Sequence, residues 1–257
     1  MKLSIIIPAH NEEKRIGRTL ENYSSYFEEL RKKNILDYEF VIVVNGTKDN
    51  TLEIVKSFSK KNKRILYLNL VKGGKGYAVL EGFKSALTRK NDLIGFVDAD
   101  MATDPESFYF LIKNMPKEGA AIASRYIKGS IVSPKQTFAR IFTSRVYNSL
   151  IRGLFLMPYR DTQCGAKVFT RKAIEKIINK IGMTKWAFDL DLIYHVRKEG
   201  LAIKELPTKW SDKEYSKINF LISGPWMALA VVRFRLINSL LKRFIRIYDK
   251  FIGFMPR

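Results

Sequence analysis

Apolar residues in this chain come as short uninterrupted runs, each ending in a polar loop that leads into a stretch of helical period. Leu3 to Ile7 (stopped by Pro8), Phe40 to Val44, Ile65 to Leu70 and Leu93 to Val97 are such runs. Continuous β-branched and aromatic runs of this length read as strands covered on both faces, as in a parallel sheet. Between them a helical pattern extends to about Lys33, from Leu52 to Phe58, and from Tyr77 to about Thr88. Four strand–loop–helix units in succession predict a doubly wound, mostly parallel α/β sheet with its loops at one edge. Beyond them, Ala120 to Ser124 predicts a strand, Phe138 to Met157 a helix, and Trp186-Ala187-Phe188-Asp189-Leu190-Asp191 the opening of another helix. Val168-Phe169 is a short apolar run, and Ile203 to Trp210 reads as a late edge strand in which Pro207 limits pairing.

Two segments carry patterns of a different kind. In the helix 138–157, Arg140, Ser144, Asn148 and Arg152 recur every four residues on one side, and Phe138, Phe142, Val146, Leu150 and Leu154 on the other. That polar stripe either binds an anion or is the solvated side of a core helix. From Pro225 onward, Trp226, Leu229, Ile237, Leu240, Leu241, Phe244, Tyr248 and Phe251 keep helical period among many Lys and Arg. A basic amphipathic segment with aromatic anchors suits the surface of an anionic membrane; the alternatives are packing on its own domain or on a partner.

Charge sharpens the picture. With 46 Lys+Arg against 25 Asp+Glu, the formal charge is +21 over 257 residues, which points to nucleic acid, an anionic membrane or phosphorylated substrates. No DNA- or RNA-recognition motif accompanies it, so no nucleic-acid partner is expected. The longest uncharged stretch, residues 218–232, is shorter than the roughly 20 apolar residues of a spanning helix, and no signal peptide is visible. The lone Cys164 fits a reducing compartment. A catalytic domain over 1–217 and a basic membrane-surface segment over 218–257 are therefore expected, peripheral on a membrane's cytoplasmic face.

The chemistry gathers at strand ends. Asp98 and Asp100, two apart in extended chain after Val97, can aim at one point and hold a divalent cation, where α/β folds place ligands; otherwise they are a solvated strand end before the helix start Asp104-Pro105-Glu106. Lys72-Gly73-Gly74-Lys75-Gly76 is not a Walker A loop, yet a lysine at a helix N-terminus favours anions; it is equally a tight turn on a basic surface. Asn11 and Glu12 either read a nucleotide or cap a helix. Asp189 and Asp191 are first-turn acids or active-site carboxylates.

Taken together, the motifs resemble the family 2 inverting glycosyltransferases of GT-A fold. The residues are Ile6-Ile7-Pro8-Ala9-His10-Asn11-Glu12-Glu13, Asn45 to Thr51, Gly74-Lys75-Gly76 and Asp98-Ala99-Asp100, in the family's order. Asp161-Thr162-Gln163-Cys164-Gly165-Ala166-Lys167 and Trp186-Ala187-Phe188-Asp189 are similar to the dolichyl-phosphate β-glucosyltransferase branch. The resemblance covers about 3–217. It implies a Rossmann-like domain that transfers a hexose, glucose from UDP-glucose, with inversion to a polyprenyl (dolichyl) phosphate. Its alternatives are a GDP-mannose donor or a sugar-hydroxyl acceptor. It implies that Pro8, Ala9, Asn11, Glu12, Asn45, Gly74, Lys75 and Ala99 bind the donor nucleotide, and that Asp98 and Asp100 hold Mg²⁺ or Mn²⁺ on its diphosphate. Arg125, Arg140, Ser144 and Lys217 would receive the acceptor phosphate. Asp161, Gln163, Trp186 and Asp189 would surround the sugar, and Asp189 or Asp191 would serve as base toward a hydroxyl. The chain departs from the family where Val44-Asn45-Gly46 replaces Asp-Asp-Gly, Asp189-x-Asp191 replaces Asp-x-Glu, and Ala166 replaces an aromatic residue.

Overall fold

The structure is a computed structural model that describes residues 1–134, 138–182, 187–211, 220–245 and 248–249. The side chains of 138–140 and 220–223 are outside the description, as are all of residues 135–137, 183–186 and 212–219.

The predicted alternation is present. β1 (Lys2–Ala9), α1 (Ile16–Lys32), β2 (Asp37–Asn45), α2 (Thr51–Lys61), β3 (Ile65–Leu70), α3 (Lys75–Leu87), β4 (Leu93–Val97) and α4 (Pro105–Lys113) follow one another. After them come β5 (Gly119–Ser124), β6 (Ile131–Val132), α5 (Phe138–Phe155), β7 (Ala166–Thr170), α6 (Arg171–Ile177), α7 (Phe188–Lys198), β8 (Ala202–Pro207), β9 (Lys209–Trp210) and α8 (Phe220–Ile237). Seven strands form one sheet in the order β3-β2-β1-β4-β7-β5-β8, and β6 pairs with β9 apart from it. Within the sheet, β7 runs antiparallel to both β4 and β5, and the other pairings are parallel. The expected edge strand 203–210 divides: β8 pairs with β5, and β9 beyond Pro207 leaves for β6.

Strand residues alternate between two cores. Leu3, Ile5 and Ile7 join Tyr23, Phe27, Phe40 and Phe108 on the α1/α4 side, while Ile6 joins Phe83, Phe96 and Phe169 on the α3/α6 side. Asp104 caps α4 by accepting the Ser107 N–H at 2.6 Å, with Pro105 at the first helical position.

A third core joins α5, α7 and α8: Tyr147, Ile151, Leu190, Ile193, Met227, Val231 and Phe234 pack together. The two-sided reading of helix 138–157 is corrected here. Asn148, expected on the polar side, is buried, whereas Phe142 and Val146, expected on the apolar side, are 60% and 52% exposed. α5 is aimed by Tyr147 and Ile151 against α8. The boundary expected at 217/218 falls among undescribed residues, and α8 beyond it shares this core. A short 3₁₀ helix, Leu240–Phe244, exposes Leu240, Leu241 and Phe244. Among the described residues, no helix is long and apolar enough to cross a membrane.

Candidate active site

β1, β2 and β4 are parallel, so their C-terminal ends deliver residues 10–15, 46–51 and 98–104 to one edge of the sheet. β7 is antiparallel, and its N-terminal end brings residues 161–165 to that same edge.

The first two loops hold each other. Asn11, at φ +53°, accepts the Lys48 N–H at 2.8 Å and donates its own N–H to Thr47 at 3.2 Å. Glu12 donates its N–H to Thr51 Oγ1 at 2.7 Å and grips Arg15 through both carboxylate oxygens. Pro8 and Ala9 are buried in β1. Asn45 is buried too: it donates to the Ala9 and Val43 carbonyls at 3.0 and 3.2 Å and accepts the Gly74 N–H at 3.0 Å. Its amide therefore sets the position of the glycine loop. Gly74, at φ +133°, releases the chain into α3 with Lys75 at the helix start.

Lys75 reaches across to β4. Its Nζ lies 2.5 Å from Asp98 Oδ1, and both side chains remain partly exposed. Burial and the neighbouring Asp100 and Asp189 hold the Asp98 carboxyl above its ordinary range, with Lys75 opposing them. Burial lowers the Lys75 ammonium, but Asp98 and Asp189 outweigh it and hold that pKa above the ordinary value. Asp100 accepts the Ala102 N–H at 3.0 Å, its other oxygen lies 3.9 Å from Arg15, and Met101 between them takes φ +61°. The Ala99 carbonyl accepts from buried Thr19 at 2.7 Å, which fixes the strand end from below.

The 161–165 turn closes on the pair of acids. A Cβ at Gly165 would lie 1.8 Å from Asp98 Oδ2, so only glycine lets this turn approach the carboxylate. Gly165→Ala is expected to displace Asp98 and lower kcat/KM for the donor by roughly tenfold to a hundredfold. Steady-state kinetics beside a thermal melt checks this; an unchanged kcat/KM would separate the turn from the site.

Three of the expected site residues are engaged with other side chains. Arg125 is engaged: its guanidinium makes a two-pronged bond to Asp161 at 2.7 and 2.9 Å and lies over Tyr126 and Trp210. Asp161 is 0% exposed and also accepts the backbone N–H groups of Arg125 and Gln163. Asp191 is 0% exposed, accepts the Gly182 N–H at 2.8 Å and lies 3.1 Å from His195 Nε2. Ser144 accepts a 2.7 Å hydrogen bond from Tyr126, and Arg145 lies over the same ring. Gln163 Nε2 is buried with no protein partner among the described residues. The Arg140 side chain, Trp186 and Lys217 lie outside the described residues.

Lys167 ties two parts of this edge together. Lys167, 0% exposed within β7, donates to Asp189 Oδ1 at 2.5 Å and to the Cys164 carbonyl at 2.7 Å, with Phe96 beneath it. A buried ammonium is tolerated only when paired, and here the pairing joins Asp189 to the turn that carries Gly165. The signal was a lysine inside an apolar strand. Burial beside Asp161 pushes the Cys164 thiol up to about 12, so it stays protonated.

Comparison with known proteins shows the family. The description "Glycosyl transferase family 2" matches residues 4–178. A dolichyl-phosphate beta-glucosyltransferase of Dictyostelium discoideum is 32% identical over 244 residues, 91% of this chain and 73% of that protein. One from Trichomonas vaginalis is 34% identical, over 86% of this chain and 69% of that protein. Glucosyl-3-phosphoglycerate synthase from Mycobacterium tuberculosis, solved with Mn²⁺, uridine diphosphate and phosphoglyceric acid, superposes with TM-score 0.65 at 16% identity. The match covers 92% of this chain and 78% of that one. The chain belongs to glycosyl transferase family 2, the inverting glycosyltransferases of GT-A fold.

Proposed function

We propose that this enzyme transfers glucose from UDP-glucose, with inversion, to a polyprenyl phosphate such as dolichyl phosphate, at the cytoplasmic face of a membrane. The carrying observation is the similarity along most of the chain to proteins named dolichyl-phosphate beta-glucosyltransferase. The engagement of both candidate bases supports a phosphate acceptor. Asp191 is buried against His195, and Asp189 is bound to Lys167. A sugar hydroxyl needs a base to take its proton. A phosphate monoester has a second pKa of about 6 and is already ionised at neutral pH.

The donor set fits a divalent cation. Mg²⁺ is usually held by one or two carboxylates plus substrate phosphates. Asp98 and Asp100 are partly exposed carboxylates crowded enough to raise Asp98, and the glycine at 165 lets the 161–165 turn pack against Asp98 Oδ2 while Oδ1 faces Lys75. Asp98 and Asp100 would hold Mg²⁺ or Mn²⁺, which when bound stabilises negative charge on the departing diphosphate. Asn11, Glu12 and the 46–51 loop wall the nucleotide side, while Asn45 positions Gly74 and so the anion-binding start of α3. Gln163 Nε2 offers a donor to the sugar or to the acceptor phosphate. Arg140, Ser144 and Lys217 remain the proposed acceptor-phosphate residues, and Trp186 a wall of the sugar site.

The membrane reading rests on the formal charge of +21 and on exposed Leu240, Leu241 and Phe244 beside Lys242 and Arg243. No pelleting with anionic vesicles at physiological salt would remove it. The test of the activity is a side-by-side assay of UDP-glucose and GDP-mannose with dolichyl phosphate and with a sugar acceptor, under Mg²⁺ or Mn²⁺. Transfer from UDP-glucose to the phospholipid is the expected result. Transfer only from GDP-mannose overturns the donor, and transfer only to the sugar overturns the acceptor.

A further inference from the structure

We infer that Lys75 is the resident counter-ion of the donor site, and that a divalent cation and a nucleotide diphosphate must enter together because they displace it together. The inference rests on the metal reading above and adds an order of events to it. Lys75 Nζ lies 2.5 Å from Asp98 Oδ1, on one of the two carboxylates that would ligate the cation. Asp98 gathers repulsion from Asp100 and Asp189. The Lys75 ammonium offsets that charge.

The other partners of Asp98 leave little freedom. Gly165 closes its Oδ2 side, where even a Cβ has no room. Lys75, in contrast, is held by a flexible stem at the first position of α3, with its side chain 41% exposed. The ammonium is the movable part. A cation arriving alone would have to part Lys75 from Asp98 and leave the ammonium with no anion in exchange. A cation arriving with a diphosphate gives the released ammonium a new anion at the N-terminus of the same helix, where anions are favoured. The exchange makes binding of the two ligands cooperative, and the cooperativity resides in one side chain.

This makes a prediction of opposite signs. The experiment measures Mn²⁺ uptake by the whole protein through loss of the free-ion electron paramagnetic resonance signal, alone and with UDP or GDP. Lys75→Met is expected to tighten binding of Mn²⁺ alone by about tenfold, or about 1.4 kcal/mol. It is expected to weaken nucleotide binding in the presence of Mn²⁺ by a similar factor. Lys75→Arg, which keeps the charge, should bind Mn²⁺ alone as weakly as the parent. Should methionine disturb the helix start, as seen by circular dichroism, Lys75→Gln reads the same two constants. An unchanged or weakened affinity for Mn²⁺ alone overturns the exchange while leaving the metal site standing. A parent protein that takes up no Mn²⁺ even with nucleotide overturns the metal reading, and the exchange with it.

Discussion

An Asp100→Asn variant is expected to fold as the parent does and to lose about a hundredfold to a thousandfold in turnover. The substitution is chosen for what it leaves in place. Asp100 Oδ1 accepts the Ala102 N–H at 3.0 Å, and the amide oxygen of asparagine can accept the same bond. The turn through Met101, with its positive φ, therefore keeps its support. What disappears is the charge, on a side chain that is only partly buried and 3.9 Å from Arg15. Loss of a screened contact at that distance changes stability little. A melting temperature within a few degrees of the parent, with turnover and Mn²⁺ uptake both lost, is the expected pattern. Retained metal-dependent turnover would falsify the assignment of Asp100 as a ligand.

The edge of the sheet was legible in the sequence because local signals coincide there. An apolar run that stops at Asp98-Ala99-Asp100 marks both a strand end and a carboxylate pair, and β4 ends at Val97. The glycines before Lys75 mark a turn into a helix, and α3 begins at Lys75 itself, two residues before the expected start. Pairings between distant side chains were not legible. Arg125 and Asp161 are 36 residues apart, and Lys167 and Asp189 are 22 apart; each pair meets because β7 runs antiparallel between β4 and β5. A succession of strand–helix units predicts parallel neighbours, and nothing in Ala166 to Thr170 marks a reversed strand. Of residues 161–167, Asp161 and Lys167 are buried and paired with Arg125 and Asp189, where the turn packs against Asp98. In α5, a four-residue repeat could not decide which side meets the domain. Tyr147 and Ile151, which the repeat left out, form the packed side, and Asn148 turns inward to accept from Thr162.

Removing the Arg125 guanidinium, as in Arg125→Met, is expected to lower stability by about 3–5 kcal/mol at neutral pH. For a chain of this size that corresponds to a fall in Tm of roughly 10 °C. The reason is the charge left behind. Asp161 is 0% exposed and keeps only backbone donors once Arg125 is gone. The dependence on pH separates this from lost packing. In the parent, burial raises the Asp161 carboxyl, but Arg125, by charge and by hydrogen bonds, outweighs it and holds the pKa below the ordinary value. A depressed carboxyl contributes stability that is fully present above the unfolded pKa of about 3.9 and is lost as pH falls through the folded pKa. In the variant burial is opposed only by the backbone donors and the Lys167 charge, so the carboxyl binds its proton at higher pH than in the parent. Falling pH therefore weakens the parent more than the variant, and the gap between them narrows. Thermal melts of both proteins from pH 7 down to about pH 3.5 measure that gap. A gap that stays constant would mean that the arginine acts through its contacts with Tyr126 and Trp210 and not through its charge. A gap that narrows would place Arg125 in the frame that holds residues 161–165 against Asp98, and leave reception of the acceptor phosphate to other cations.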